Sequence, residues 1–429
     1  MFISNNDFFL GGLMKRYSVM LSCMLITALL GAAGIQESMQ PVSDRATTAE
    51  NNQDFFMRSV QQFSDQLFFV DSFKEKNAMV SPLSVLLALG MTTNGAEGST
   101  LSSTLDVLVA KVGTLQQFND ANTHYLNSIS DLSDIELSIA NSLWLNNQVR
   151  FDKGFLTKSR DIYHATAKNL DFSAKSSLNA INSWVNEATR GTITSILDSL
   201  DPAALLYLIN AVYFKGDWEN PFTKESTYPD TFILKDTSVQ APFMHQSSLF
   251  PYAKALDAQM VMMPYSNDRY AFVALLPSEG TDLETWLAGQ KEQGGFTQRM
   301  FSSVESLQNT HMDLAIPKFE ASYKDSLVDE LKQLGIRDPF DGKKADFSLM
   351  TESRSKEIVI TEVLHKTFIR VDEQGSEAAA VTSVMMKATS MPIREKLSLR
   401  FDRPFFYAII DREYEIPLFM GTMENPLAE

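Results

Sequence analysis

The chain of 429 residues carries 37 Lys+Arg against 53 Asp+Glu, a formal charge of −16, and 44% of it is hydrophobic. That composition is globular rather than disordered, and its acidic balance argues against nucleic acid, whose phosphates need Lys and Arg surfaces. Cys23 is the single cysteine, which excludes a disulfide framework, a zinc–thiolate cluster or a redox pair.

In chain order, the first feature is Met14-Lys15-Arg16, then an apolar run from Tyr17 to Leu30 and the small residues Gly31 to Gly34. A basic start, a short apolar run and a small-residue cleavage site predict an export signal over residues 1–33, with translation from Met14. The run is shorter than the ~20 residues a membrane span needs. Cys23 sits inside it, whereas a lipidated cysteine would open the mature chain, so lipid anchoring is not expected. The expected product is secreted and extracellular. Residues 34–52 are polar and read as a flexible leader, and residues 53–429 read as one domain without a second linker or internal repeat.

Phe56, Val60, Phe63 and Leu67 step by four, three and four, the spacing of a helix with one apolar stripe. Ser81-Pro82 predicts a helix start with serine as cap and proline in the first turn, running Leu83 to Met91. Leu115, Phe118, Asn122, Tyr125 and Ile129 predict a third helix. Ile135, Leu137, Ile139, Asn141, Leu143 and Leu145 alternate, as in a strand with one buried face. Leu206–Phe214 and Tyr270–Leu276 are nearly all apolar and read as strands buried on both faces. Helices and strands mix without a regular β-α-β rhythm, so the expected class is α+β.

Catalytic signatures are absent. The chain has no GxSxG, HExxH, GxxxxGK[ST] or GxGxxG, and no N-x-[ST] sequon. His124, His164, His245, His311 and His365 include no pair at helical ligand spacing, so neither a metal nor a cofactor is expected. A serine, histidine and aspartate brought together only in space stays open, and an ester-hydrolysis burst would reveal it.

The most informative stretch is Val371 to Ser390. Around Ser376–Ala380 it reads either as an Ala-rich helix start or as one end of an alternating pattern. In the second reading Ser376, Ala378, Ala380, Thr382, Val384 and Met386 form an uncharged face, while Glu373, Glu377 and Lys387 fall on the other. The segment is followed by Pro392 and charged residues, like an exposed loop. A loop patterned as a buried strand is a conflict of local and global cues that often marks function.

Glu373 to Thr382 resembles the hinge of the serpin family: an acid, a glycine, a Ser/Thr, then Glu and alanines. Asn210-Ala211-Val212-Tyr213-Phe214-Lys215-Gly216-Asp217-Trp218 resembles a strand motif of that family. Ser81-Pro82-Leu83-Ser84, Leu137-Ser138-Ile139-Ala140-Asn141, Ile181-Asn182-Ser183-Trp184-Val185-Asn186 and Val363-Leu364-His365-Lys366 match in order. So do Arg403-Pro404-Phe405 and Leu418-Phe419-Met420-Gly421. The resemblance runs from about residue 55 to the C-terminus. It implies a single α+β domain with three β-sheets, about nine helices and an exposed reactive-centre loop at about 373–398.

By resemblance, the activity implied is suicide inhibition of serine proteases, and of papain-like cysteine proteases as well. Such a protein is an inhibitor and not an enzyme. The protease attacks a bait bond, and the freed loop enters the main sheet as a new strand. The seventeenth residue counted from Glu373 is Thr389, the family's usual interval, which makes Thr389–Ser390 the expected reactive bond. Lys387, Ala388 and Met391 are alternates. Small Ala388 and Thr389 suit elastase-like enzymes first, and Lys387 offers trypsin-like enzymes a second bait, so broad specificity is expected. The hinge residues carried over are Glu373, Gly375, Ser376, Glu377, Ala378, Ala379 and Ala380. Ser81, Ser84, Asn210 and His365 correspond to a polar cluster where the sheet opens. Trp218, Lys318 and Glu373 mark where insertion starts. Thr361 stands where many relatives have serine.

A non-inhibitory binding or chaperone protein on the same fold is the alternative. It should carry charge, proline or bulk on the inward hinge face, and none is present. No Lys or Arg occurs from Val112 through Val149, where Asp120, Asp131 and Asp134 lie, so activation by heparin is not expected. The protein is expected to be a monomer.

Overall fold

The computed structural model describes residues 42–70, 77–130, 135–376 and 396–428, with side chains from residue 51 onward. The expected export signal, the leader before residue 42 and residues 377–395 of the expected loop lie outside them. Residues 46–429 form one compact unit.

Nine α-helices lie among the described residues: α1 (Val42–Phe68), α2 (Pro82–Thr93), α3 (Gly98–Leu108), α4 (Leu115–Ser128), α5 (Lys153–Tyr163), α6 (Lys175–Ala188), α7 (Leu283–Gln293), α8 (Phe296–Glu305) and α9 (Val328–Gln333). The strands are β1 (Met79–Val80), β2 (Ile135–Asn146), β3 (Thr166–Leu170), β4 (Leu206–Asp217), β5 (Thr227–Ile233), β6 (Ser238–Ala255), β7 (Ala258–Pro264), β8 (Tyr270–Pro277), β9 (Gln308–Pro317), β10 (Phe319–Ser326), β11 (Ile360–Val371), β12 (Gly375–Ser376), β13 (Leu397–Arg400), β14 (Phe405–Asp411) and β15 (Ile416–Met423).

The expected apolar stripe of α1 is buried: Phe56, Val60, Phe63 and Leu67 are all fully enclosed in the main core. The helix reaches back to Val42, so residues 42–52, expected as flexible leader, are helical. After Pro41 the segment holds no glycine or proline, and adding residues to a helix already nucleated at its buried stripe avoids the cost of a new nucleus. Helix α2 is buried on every side, with Pro82 in its first turn. Ser81 occupies its N-cap with extended backbone, but its side chain makes no capping bond. The expected serine cap is therefore absent, and the Ser81 backbone N–H serves another partner described below.

Two hydrogen-bonded sheets organise the strands. One runs β10-β11-β12-β4-β2-β3, with β11 and β4 also paired directly and in parallel. The other runs β1-β15-β14-β8-β7-β6-β9-β13, with β5 on β6. The 18-residue β6 joins two groups in this second sheet. Its first part pairs with β5 and β9, and its last four residues pair with β7. The third sheet expected from the resemblance is thus the β5-β6-β9-β13 group, which stays hydrogen-bonded to its neighbour through β6.

Strands β4 and β8 are buried on both faces, as their apolar runs predict. Strand β2 alternates less than expected: its last six residues, Asn141–Asn146, are all buried. Trp144 packs in a second core with Ile181 and Val185 of α6 and with Ile193, Ile196, Tyr207 and Ile209, which covers the sheet's outer face. A strand covered on both faces has no wet side to show in the pattern.

Candidate functional site

The parallel pair β4–β11 frames the site. Its ladder runs from Ile360↔Leu206 to Thr367↔Val212. Beyond that point the strands part, and β12 enters between them, antiparallel to both: Ser376 faces Val371 of β11 and Gly216 of β4, and Gly375 faces Asp217. A tight reversal makes this possible. The Asp372 N–H donates to the Gly375 carbonyl (2.9 Å), and the Asp372 carboxylate accepts from the Gln374 N–H (2.9 Å). Gly375 cannot carry a side chain here, because a Cβ would lie 2.0 Å from the Gly216 carbonyl oxygen.

The turn is clamped from several elements. Lys318, between β9 and β10, donates to the Glu373 carboxylate at 2.8 Å. Burial pushes the Glu373 carboxyl up, but the Lys318 hydrogen bond and further donors outweigh it and hold it below its ordinary value. The Trp218 N–H donates to the Gln374 carbonyl (2.7 Å), its indole N–H to the Asp372 carbonyl (2.9 Å), and the Phe222 N–H to the Glu373 carbonyl (2.8 Å). Trp218 stacks on Tyr265, with centroids 4.7 Å apart. Tyr265 in turn shares a 2.7 Å hydrogen bond with the fully buried Ser376 hydroxyl.

A second polar cluster sits lower on the same strand pair, where His365 faces Asn210 in register. The Ser81 N–H donates to His365 Nε2 (3.1 Å), so the ring proton is on Nδ1, which donates to Asn210 Oδ1 (2.6 Å). The Asn210 amide donates to Asn141 Oδ1 (2.6 Å), to the Ser84 carbonyl (3.2 Å) and to the Ser84 hydroxyl. His365 is fully buried, and burial pushes its pKa down to about 3, so it is neutral. The cluster ties three strands, β2, β4 and β11, to α2.

Seven of the expected site residues therefore form two groups: Ser81, Ser84, Asn210 and His365 below, and Trp218, Lys318 and Glu373 above, with Gly375 and Ser376 beside the latter. Thr361 accepts from the Leu205 N–H at 3.3 Å, at the start of the β4–β11 ladder. Glu377, Ala378, Ala379, Ala380, Lys387, Ala388, Thr389, Ser390 and Met391 lie outside the described residues. The chain is described again from Lys396, and β13 pairs with β9 from Leu397↔Met312. Two participants were missed. Asn141 betrays itself as the one amide in the apolar alternation of β2. Tyr265 leaves no pattern in the sequence.

The serpin (serine protease inhibitor) family model matches residues 50–426. A serpin-like protein of Thermococcus kodakarensis is 31% identical, over 96% of this chain and 99% of its own length. Human neuroserpin is 30% identical, over 82% of this chain and 87% of its own. Among solved structures, the native state of the thermophilic serpin tengpin superposes with a TM-score of 0.78 at 34% identity, covering 86% of this chain and 94% of that one. Human thyroxine-binding globulin with its bound hormone gives 0.77 at 26% identity, over 89% and 100%. Serpins are generally protease inhibitors, and the hinge turn, the polar cluster and the two sheets all fall within the matched length. The chain belongs to the serpin family.

Proposed function

We propose that this protein is an exported, monomeric serine protease inhibitor that traps its target covalently by inserting its loop between β4 and β11. The observation that carries the reading is β12: the hinge already occupies one strand position between two strands that pair with each other lower down. Extending it requires only that the β4–β11 ladder continue to part. The inward face after Ser376 offers Ala378, Ala380, Thr382, Val384 and Met386, with no charge or proline to oppose burial.

In the chemistry proposed, the protease serine oxygen bonds to the Thr389 carbonyl carbon. The Thr389–Ser390 peptide bond breaks, and the Ser390 nitrogen leaves as an amine with the proton supplied by the protease's acid. Insertion then competes with hydrolysis of the ester. Elastase-like enzymes come first and trypsin-like enzymes second, with papain-like cysteine proteases as further targets. The hormone carried by thyroxine-binding globulin marks the non-inhibitory alternative on this fold, but the uncharged inward face favours trapping. Mixing the protein with a protease panel and reading a denaturing gel tests this. A covalent complex is expected, with the released peptide's mass placing the cut after Thr389. Turnover of the loop with no complex in any mixture rejects the inhibitory reading.

A further inference from the structure

The β5-β6-β9-β13 group contains a histidine that neither the hinge turn nor the polar cluster uses. His245 lies on β6 with only 19% of its side chain exposed. Its Nδ1 is 3.2 Å from the Ser226 carbonyl and 3.1 Å from the Phe243 carbonyl. Carbonyls only accept, so Nδ1 carries the ring proton. Its Nε2 has no hydrogen-bond partner among the described residues and lies 3.7 Å from Asp230 Oδ2. The Tyr228 ring stacks on the imidazole with centroids 4.0 Å apart, which fixes its plane. The neutral ring thus sets a lone pair against a carboxylate.

The same carboxylate anchors β13, a four-residue strand at the end of its sheet. Asp230 Oδ2 accepts from Arg400 Nη2 at 2.6 Å, while Oδ1 is taken by the Thr231 N–H at 2.7 Å. In register, Ala315 of β9 sits between His245 and Arg400, and its small side chain leaves the guanidinium room to reach the oxygen that His245 faces. The Arg400 hydrogen bond holds the Asp230 carboxyl below its ordinary range, so it stays ionised wherever histidine titrates. Asp402 lies 3.7 Å from Arg400 Nε and offers it a second carboxylate. The charged and titratable groups around the ring are therefore Asp230 and Tyr228 from β5 and Arg400 from β13, with Asp402 behind it; β9 presents only Ala315.

We infer that His245 is a proton-operated release for β13: its Nε2 takes a proton from solvent, claims Asp230 Oδ2, and displaces Arg400 toward Asp402. One oxygen is available and two cations then address it, so they repel each other as well as compete. By linkage, a proton on His245 weakens the Arg400 contact by the same factor that the Arg400 contact weakens the proton. Histidine changes charge between about pH 5 and 8. The end of β13 is therefore fastened at the upper end of that range and loosened at the lower, whether or not the chain traps proteases.

The test is amide hydrogen exchange of the full chain at about pH 5.5 and about pH 8, read as protection factors corrected for the intrinsic rate. In the wild type, protection over residues 397–401 should fall about tenfold at the lower pH, the scale of one charge-assisted hydrogen bond. The amides of β14, buried in the core, serve as the reference. His245→Gln should keep the higher protection at both pH values. His245→Lys, a permanent cation, should show the lower protection at both, and so should Asp230→Asn, which removes the anchor. Thermal midpoints confirm that the variants fold. Equal wild-type protection at both pH values overturns the release, as does a fall that persists in His245→Gln. The covalent-complex assay reads inhibition separately, so either result leaves that reading standing.

Discussion

Along one pair of strands the molecule holds two different states. From Ile360 to Thr367, β11 is zipped to β4 and locked by His365 on Asn210. From Phe368 onward the same strand has given up β4, and at its last residue, Val371, it pairs with Ser376 of β12. The lower half is closed by a buried polar cluster with few spare partners. The upper half is held by the turn itself, by hydrogen bonds from Trp218 and Phe222 to its carbonyls, by a Lys–Glu pair at its edge and by the Tyr265 hydroxyl on Ser376. If the loop inserts as proposed, it starts where the strands are already parted by the turn and must then unzip the His365–Asn210 cluster, which sets the direction of the proposed pathway.

The largest effect expected comes from Ser376→Arg. It puts a cation at a fully buried position against Tyr265, and an unpaired buried charge costs at least several kcal/mol. Insertion slows while ester hydrolysis does not, so the variant should be cut and released; the number of inhibitor molecules consumed per protease should rise more than tenfold. An unchanged stoichiometry would remove the upper half from the mechanism.

Cutting the loop with a protease that escapes the trap should come next. The new strand gains ladder hydrogen bonds at about 0.5–1.5 kcal/mol each and buries Val384 and Met386 for about 1.5–3 kcal/mol apiece. Ordering costs about 1–2 kcal/mol per residue, so hydrogen bonds alone cannot drive it, and side-chain burial together with strain relieved elsewhere in the sheet must tip the balance. A rise in the unfolding midpoint of roughly 10 °C or more is expected. No rise would mean that the lower half does not open.

Asn210→Ala removes the acceptor of His365 and the donor to Asn141 and Ser84 at once, leaving buried groups unpaired. A loss of about 2–4 kcal/mol is expected in urea unfolding. If the loss is below 1 kcal/mol, the cluster is not what closes the lower half.

His365 adds a smaller, pH-dependent effect. Its folded pKa of about 3 lies below its ordinary 6.5, so between those values the unfolded chain binds the extra proton. Stability is therefore full above about pH 7 and falls as the pH drops through 6.5 toward 3. The loss is about 2 kcal/mol by pH 5. The same titration on His365→Gln should lack that component; an identical slope would place the acid sensitivity elsewhere. The smallest effect expected is heparin's: with no Lys or Arg from Val112 through Val149, it should leave the association rate unchanged within about twofold at low salt.

Much of this arrangement was legible because the sequence breaks its own local rules. A segment with a strand's alternation in a loop-like context points to the turn at Glu373–Ser376, and the resemblance of ordered motifs to the serpin family groups Ser81, Ser84, Asn210 and His365. Ser81 holds both places its sequence context suggests, the N-cap of α2 and the polar cluster, but its side chain makes no capping bond and it joins the cluster through its N–H, to His365, 284 residues away. Tyr265 was illegible because a single aromatic before a turn has no period. The extent of α1 was missed because polar composition reports exposure, and an exposed helical extension looks the same as a tail. The number of sheets depended on β6, whose length serves two neighbours and cannot be assigned to one from its own residues.

The position of β14 and β15 has a consequence for covalent continuity. Strand β14 lies between β8 and β15, β15 lies between β14 and β1, and every residue of both is buried. A cut anywhere from 377 to 395 leaves these strands, with β13, on the C-terminal fragment. That fragment would be held by backbone ladders on both sides and by the packing of Phe405, Phe406 and Tyr407 in the core. Cleavage then converts one polypeptide into a two-chain complex that gel filtration would report as a single species. Such a complex could be rebuilt from separately prepared fragments, making the nicked form an intrinsic complementation system.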